Sequence, residues 1–409
     1  MVPRLKNSRR TLLMLCLTSA GWAFSFGLGA PLASLWLRDA GHSARIIGLN
    51  TSIYYLGVAL AALAVPWLMR KAGRACVVTG IVGDAVVTAL FPWGDSLPVW
   101  FGLRLVGGMA TALSLIPMET LVNHNAPPER RARDFGFYAF SVALGVGLGS
   151  LIGLPMYPVV PHWAFALGGA VTLAAAVLAW FGWPKQGTLV EEISGDEPLS
   201  LRTNCLSYGS AWVQGFLEGG LVTFLSIYLF SLGYAEGAVS LLVGGLFAGV
   251  ILCQVPVAWL ADRLGRLHIL LGCHALLLAS LLAVWLAPAT GTLSIWLFVL
   301  GTCCGAMYPL GLALLGDRVS PTGMARANAC YLASNCAGSL SGPLLFGLVI
   351  DFYGQPSQFL AGMMSVIVVI GLWALASGVA SAPRERTRGA DATPLASGKE
   401  PMQSDRMAG

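Results

Sequence analysis

The octapeptides WLMRKAGR (residues 67–74) and WLADRLGR (residues 259–266) nearly repeat one another 192 residues apart in a chain of 409. Only the second carries an acid, with Asp262 standing where the first has Arg70. Each places a Gly beside an Arg between two long apolar stretches, so each reads as a tight loop that brings two helix ends together. At the same shift Ser34 falls on Ser226, Gly41 on Gly233 and Gly57 on Gly249. At a shift of 193, RDFGFYAFSVALGVGLG (133–149) falls on RANACYLASNCAGSLSG (326–342), matching Arg133, Tyr138, Ser141, Gly145 and Gly149 with Arg326, Tyr331, Ser334, Gly338 and Gly342. Any two apolar helices share some Gly and Leu, but an offset kept in two separate regions indicates two tandem halves.

The halves are written for lipid. Residues are 56% hydrophobic and 11% charged, against roughly a quarter charged in a soluble domain. Apolar runs long enough to cross a ~30 Å hydrocarbon core recur twelve times, at residues 11–37, 46–69, 75–93, 97–123, 135–157, 163–183, 204–230, 237–261, 269–289, 294–315, 327–349 and 359–382. The runs are continuous rather than alternating, which predicts helices and not barrel strands. The expected fold is an all-α integral membrane protein with twelve transmembrane helices in two pseudo-symmetric six-helix bundles, residues 1–183 and 204–382. A polar segment, 184–203, is expected to link them in the cytoplasm, and the polar stretch 383–409 to form a disordered cytoplasmic tail.

An even number of spans puts both termini on one side, with the loops after spans 2, 4, 6, 8 and 10. Those segments hold all but three of the 24 Lys and Arg, the exceptions being Arg38, Arg45 and Arg104. The positive-inside rule then predicts cytoplasmic termini in a plasma or inner membrane. The net charge of +5 is spread over loops, so it is a topology signal and predicts no nucleic-acid partner. Arg9 and Arg10 precede the first apolar run as in a signal peptide, but the run is too long and ends on bulky SLWLRD, which predicts a mature helix. The nine Cys lie in or beside the spans without a Cys-x-x-Cys pair and read as small packing residues, so neither metal nor cofactor is expected. No Gly-x-x-x-x-Gly-Lys-Ser/Thr loop is present, which argues against an ATP-driven pump.

On these residues the chain resembles the major facilitator superfamily, in its drug- and sugar-transporter-like branch, across essentially all twelve spans. The family's loop motif, Gly-x-x-x-Asp-Arg-x-Gly-Arg, is matched after span 8 by Asp262, Arg263, Gly265 and Arg266, with Ala258 in the leading position. After span 2, Lys71, Gly73 and Arg74 match, but Arg70 takes the acidic position and Pro66 the leading one. The helix 4 motif Arg-x-x-x-Gly is matched by RLVGGMATA (104–112). The Gly-rich antiporter motif is partial in span 5, at Gly145, Gly149 and Gly153, and better matched in span 11 by Gly338, Gly342, Pro343 and Gly347. The resemblance implies alternating access around a cavity lined by spans 1, 4, 7 and 10, with the loop motif latching the halves on the cytoplasmic side in one state. Arg263 and Arg266 have a simpler alternative role as topology anchors in water.

Charges inside spans cost at least ~2.5 kcal/mol at a helix centre unless they face protein or water. The candidates are Asp84 in span 3, Arg104 and Glu119 in span 4, Glu218 in span 7 and His274 in span 9. Arg104 and Glu119 are fifteen residues apart, so they share a face but differ by ~22 Å in height. Glu218 lies ~21 Å into its helix, near the midplane, where a carboxyl group suits proton binding and release. Asp84 is expected to hydrogen-bond within the first bundle, and His274 to pack helices. Trp22, Phe26, Trp36, Tyr54, Tyr55, Trp212, Gln214 and Tyr308 give an aromatic, weakly polar lining suited to amphipathic organic molecules. Pro117 and Pro309, again 192 apart, are expected to act with Gly338, Gly342 and Pro343 in gating.

The sequence thus predicts a monomeric, proton-coupled secondary transporter, with export of a small organic compound ahead of nutrient symport. A sensor or non-transporting scaffold on the same fold is the alternative from another class.

Overall fold

A computed structural model describes residues 8–125, 131–182, 202–286, 291–319 and 324–381. Most of the expected linker 184–203 and the tail 383–409 lie outside the described residues. Thirteen α-helices follow in order: α1 Ser8–Asp39, α2 Ala44–Ala62, α3 Val65–Ala72, α4 Arg74–Leu90, α5 Leu97–Asn125, α6 Arg131–Met156, α7 Pro161–Gly182, α8 Cys205–Ser231, α9 Glu236–Leu264, α10 Arg266–Leu286, α11 Leu293–Gly316, α12 Met324–Tyr353 and α13 Gln358–Ser381. Twelve of them are long and apolar enough to cross a membrane. Helices are what hydrocarbon demands, since each satisfies its own backbone groups.

The expected second span is two helices, because Pro66 stands in the first turn of α3. Proline has no backbone N–H to give to a continuing helix, and α2 ends at Ala62. Pro92 likewise ends α4 at Leu90, before one 3₁₀ turn at Phe91–Trp93. By contrast α5 and α11 run unbroken through Pro117 and Pro309, and α12 through Pro343.

The tandem repeat is visible in space. Helix α1 packs on α6 as α8 packs on α12, and α2 on α5 as α9 on α11. A Cβ at Gly149 would stand 2.1 Å from the Phe24 carbonyl oxygen, and one at Gly342 2.0 Å from that of Phe216. These glycines permit backbone-to-backbone crossing of helix pairs, and so does Gly338 against Trp212. The loops repeat as well: Gly41 and Gly233 have φ of +82° and +81°, and Gly73 and Gly265 have +52° and +95°. Glycine alone adopts such angles without strain.

The two halves meet chiefly through α2 with α12 and α6 with α9. On the first seam a Cβ at Gly48 would strike the Pro343 carbonyl, and Ser52 Oγ donates to the Leu340 carbonyl at 2.6 Å. Asp351 accepts from the backbone N–H groups of Ala44 and Arg45, at 2.9 and 3.0 Å, and so caps α2 from the other half. On the second seam Gly147 faces Phe247, and Gly244 faces Leu151. All these contacts lie in the part of the molecule nearer Gly41 and Gly233. Toward the end carrying Gly73 and Gly265, α2 and α9 expose Leu60, Leu63, Trp259 and Leu264.

Candidate functional site

Helix α8 is almost wholly buried, from Leu206 to Leu229. Glu218 is its exception: the residues on either side are buried while its side chain is exposed to the open interior between the halves. One turn earlier, Gln214 donates from Nε2 to the Glu218 carboxylate. Gln214 in turn accepts, through Oε1, from Asn335 Nδ2 of α12, which also reaches the Ala211 carbonyl at 3.0 Å. The result is a directed chain, Asn335 to Gln214 to Glu218, that holds the carboxylate in place and leaves most of its acceptor capacity free.

Glu119, on α5 of the other half, is partly exposed. Tyr308 of α11 lies within electrostatic reach of both Glu119 and Glu218, and Tyr55 of α2 within reach of Glu218. The two acids therefore approach one central region from opposite halves. Among the described residues neither has a cation within electrostatic reach, and Glu119 has no hydrogen-bond partner. The Tyr308 carbonyl accepts from the Tyr331 hydroxyl at 2.7 Å, and the two rings stack edge to face with centroids 4.9 Å apart, which fixes this wall.

The facing wall is apolar. Phe26 of α1 is half-buried, whereas Trp22, expected in the lining, is buried behind it; the two rings stack with centroids 5.9 Å apart, and Phe26 meets Tyr54 at the same separation. Val142, Val146 and, from the second half, Phe247 complete this cluster. Trp212 packs against Phe216. Trp36, expected in the lining, instead makes edge contacts with His162 and Phe165 at α7, away from the central region.

Arg104 is sequestered inside the first half rather than set in the open interior. Its Nε donates to Asn50 Oδ1 at 3.0 Å, a terminal nitrogen reaches the Ala30 carbonyl at 3.4 Å, and the guanidinium lies 5.3 Å from the Phe91 ring centre. Its long stem lets it fold back among α1, α2 and α4, which position along α5 alone could not reveal. Asp84, buried in the same bundle, lies near Thr111 and within electrostatic reach of Arg104. Tyr54 hydrogen-bonds with Thr111 at 2.7 Å. A cavity of about 30 Å³ separates Asp84 from Arg104, with Ser25 and Thr88 on its wall, room for a single water. His274 is fully buried and ties α10 to α8, with Nδ1 against the Leu270 carbonyl at 2.8 Å and Nε2 against Ser210 at 3.4 Å.

Sequence reasoning found Glu218, Gln214 and Glu119 but passed over Asn335, Asn50 and Thr111. The available signal was a polar residue inside an apolar run, weak because Ser and Thr also satisfy their own helix, as Ser210 does on Leu206.

The two loops are built alike and charged differently. Lys71 lies 4.2 Å over the Trp67 ring and Arg263 3.9 Å over that of Trp259. Arg266 pairs with Asp262 at 3.2 Å and with Asp317 at 2.6 Å, and donates to the Ala313 carbonyl. Arg74, its counterpart, stacks 4.0 Å over Trp180 and donates to the Trp180 carbonyl at 3.3 Å. These contacts stay within their own halves, so among the described residues the expected latch residues do not bridge the halves in this conformation. Among the described residues no group of His, Cys, Asp and Glu is arranged to hold a metal ion.

The family model described as Major Facilitator Superfamily matches twice, over residues 11–207 and 207–406. The uncharacterised MFS-type transporter YfkF of Bacillus subtilis (strain 168) is 27% identical over 364 residues, covering 85% of this chain and 90% of the relative. The uncharacterised MFS-type transporter YcaD of Salmonella enteritidis PT4 (strain P125109) is 24% identical over 346 residues, covering 80% and 86%. Among solved structures, a bacterial homologue of the human lysosomal transporter Spinster superposes with a TM-score of 0.71 at 16% identity, covering 92% of this chain and 96% of that one. The nucleoside transporter NupG does so with a TM-score of 0.72 at 14% identity, covering 93% and 100%. With one family match per half and a twelve-helix fold that repeats at the same offset, the chain belongs to the Major Facilitator Superfamily, a family of membrane transporters, not enzymes.

Proposed function

We propose that this protein is a proton-coupled exporter of small amphipathic organic compounds that are neutral or positively charged, acting as a monomer in the plasma (inner) membrane. The observation that carries the reading is the pair of carboxylates, Glu119 and Glu218, both within electrostatic reach of Tyr308 and, among the described residues, with no cation in reach. Two such groups repel an anionic solute and attract a cation, while Phe26, half-buried against the buried Trp22, offers an apolar surface. A proton and a cationic solute compete for Glu218. Competition at one carboxylate couples their movements in opposite directions, so protons entering the cell drive the solute out. With both termini cytoplasmic, the seams nearer Gly41 form the closed outer side and the cavity opens inward, the form that would load an exported solute. Gly338 and Gly342 bring α12 close against α8, Pro343 stands beside them, and gating at these residues with Pro117 and Pro309 accompanies the rocking of whole halves.

The test is flux in proteoliposomes under an imposed pH gradient, with a panel of fluorescent organic cations, neutral amphipaths and organic anions. Gradient-driven movement of cations or neutral compounds against the proton flow is expected. Movement of anions alone, or of any solute with the proton, would overturn the proposal in favour of symport.

A further inference from the structure

The helix ends that form the first-half corner are basic. Arg70, Lys71 and Arg74 crowd the turn at Gly73, and Arg10 at the start of α1 stands one turn before Met14, which packs on Gly182 at the end of α7. Residues 8–14, 65–76 and 177–182, which build this corner, contain no Asp or Glu. Arg70 is exposed, and the ion pairs formed among the described residues do not include it. At the equivalent turn Arg266 is neutralised by Asp262 and Asp317. The two cations held over rings mark the level of the bilayer surface: Trp67 is 50% exposed and Trp180 43%, each beneath a Lys or Arg. Beside them Leu60 of α2 and Leu63 just after it, 48% and 84% exposed, extend the apolar surface from Trp67.

We propose that this corner binds the headgroup of an anionic phospholipid. The phosphate accepts from the Arg70 fork and the Lys71 ammonium, Trp67 and Trp180 seat the glycerol region, and the acyl chains run along Leu60 and Leu63. Arg70, in the motif's acidic position, converts a loop that is charge-balanced in the second half into a lipid site in the first. The apolar surface is what distinguishes a lipid from free phosphate as the ligand.

The experiment is native mass spectrometry of the full chain in detergent, titrated with dioleoyl-phosphatidylglycerol or dioleoyl-phosphatidylcholine. Wild type is expected to bind the anionic lipid selectively. Each of Arg70→Gln and Lys71→Gln should weaken that binding about fivefold, and Arg70→Asp, which restores the motif's acid, by more. Arg263→Gln in the second half should leave the anionic-lipid affinity within about twofold. Affinity unchanged in the Arg70→Gln, Lys71→Gln double variant would overturn the proposal, as would equal loss in Arg263→Gln. Millimolar inorganic phosphate should not displace the lipid; full displacement would make the site one for free phosphate and overturn the lipid assignment.

Discussion

Helices α1 and α8 occupy matching places in the two halves, and at a shift of 192 the Trp22–Phe26 pair of one falls on the Gln214–Glu218 pair of the other. Their packing partners correspond at a shift of 193, Val142 of α6 standing where α12 has Asn335. One scaffold thus presents a stacked apolar wall from one half and a hydrogen-bonded carboxylate from the other. The same exchange runs in reverse deeper in the bundles, where Asp84 and Arg104 have Leu276 and Trp296 as their counterparts. Duplication supplies the packing, held by backbone crossings that tolerate only glycine, as at Gly149 and Gly342. The residues of the proposed coupling site are positions where the copies have diverged.

The largest expected effect on stability is at the first half's buried charge. Arg104→Ala removes the cation within reach of buried Asp84 and leaves Asn50 Oδ1 unpaired. Thermal unfolding in detergent should register a loss on the order of 3 kcal/mol, and a change under about 1 kcal/mol would show that water already serves Asp84. Next is the seam, where Asp351 caps α2 while the residue matching it at a shift of 193 is Pro158. Asp351→Ala should cost about 1–2 kcal/mol of the closed seam, read as increased labelling of a cysteine placed at Gly48's neighbour Leu49. Unchanged labelling would mean that backbone crossings alone hold that side. Phe26→Ala should weaken binding of an amphipathic solute by about 1 kcal/mol, roughly fivefold, measured by fluorescence titration. The smallest effect belongs to the loop: Asp262→Asn should alter stability by under about 0.5 kcal/mol, because the pair is exposed and Asp317 retains Arg266. A larger loss in Asp262→Asn than in Asp317→Asn would reverse that ranking.

The fold was legible because its signals are one-dimensional. Apolar length marks spans, the 192-residue offset marks halves, and Gly41, Gly73, Gly233 and Gly265 mark the turns. The missed break at Leu63 was also local, since Pro66 announces it, but a short polar-ended helix was hidden inside an apolar run. The site was legible only in part. Glu218 and Gln214 stand one turn apart and betray themselves, whereas the course of the Arg104 side chain depends on Asn50 and Ala30, 54 and 74 residues away. The Asp351 cap joins residues 307 apart, and in sequence Asp351 looks like any acid at a span's end. Trp36 shows the converse error, an aromatic on a cavity-lining helix that turns to the other side.

The most direct test of the account is gradient-driven flux through Glu218→Gln in proteoliposomes, set beside solute exchange without a gradient. An amide preserves the shape and the contact with Gln214 but cannot carry a proton. The account predicts that pH-driven flux is lost while exchange persists. Undiminished gradient-driven flux would contradict it and remove Glu218 from the coupling step.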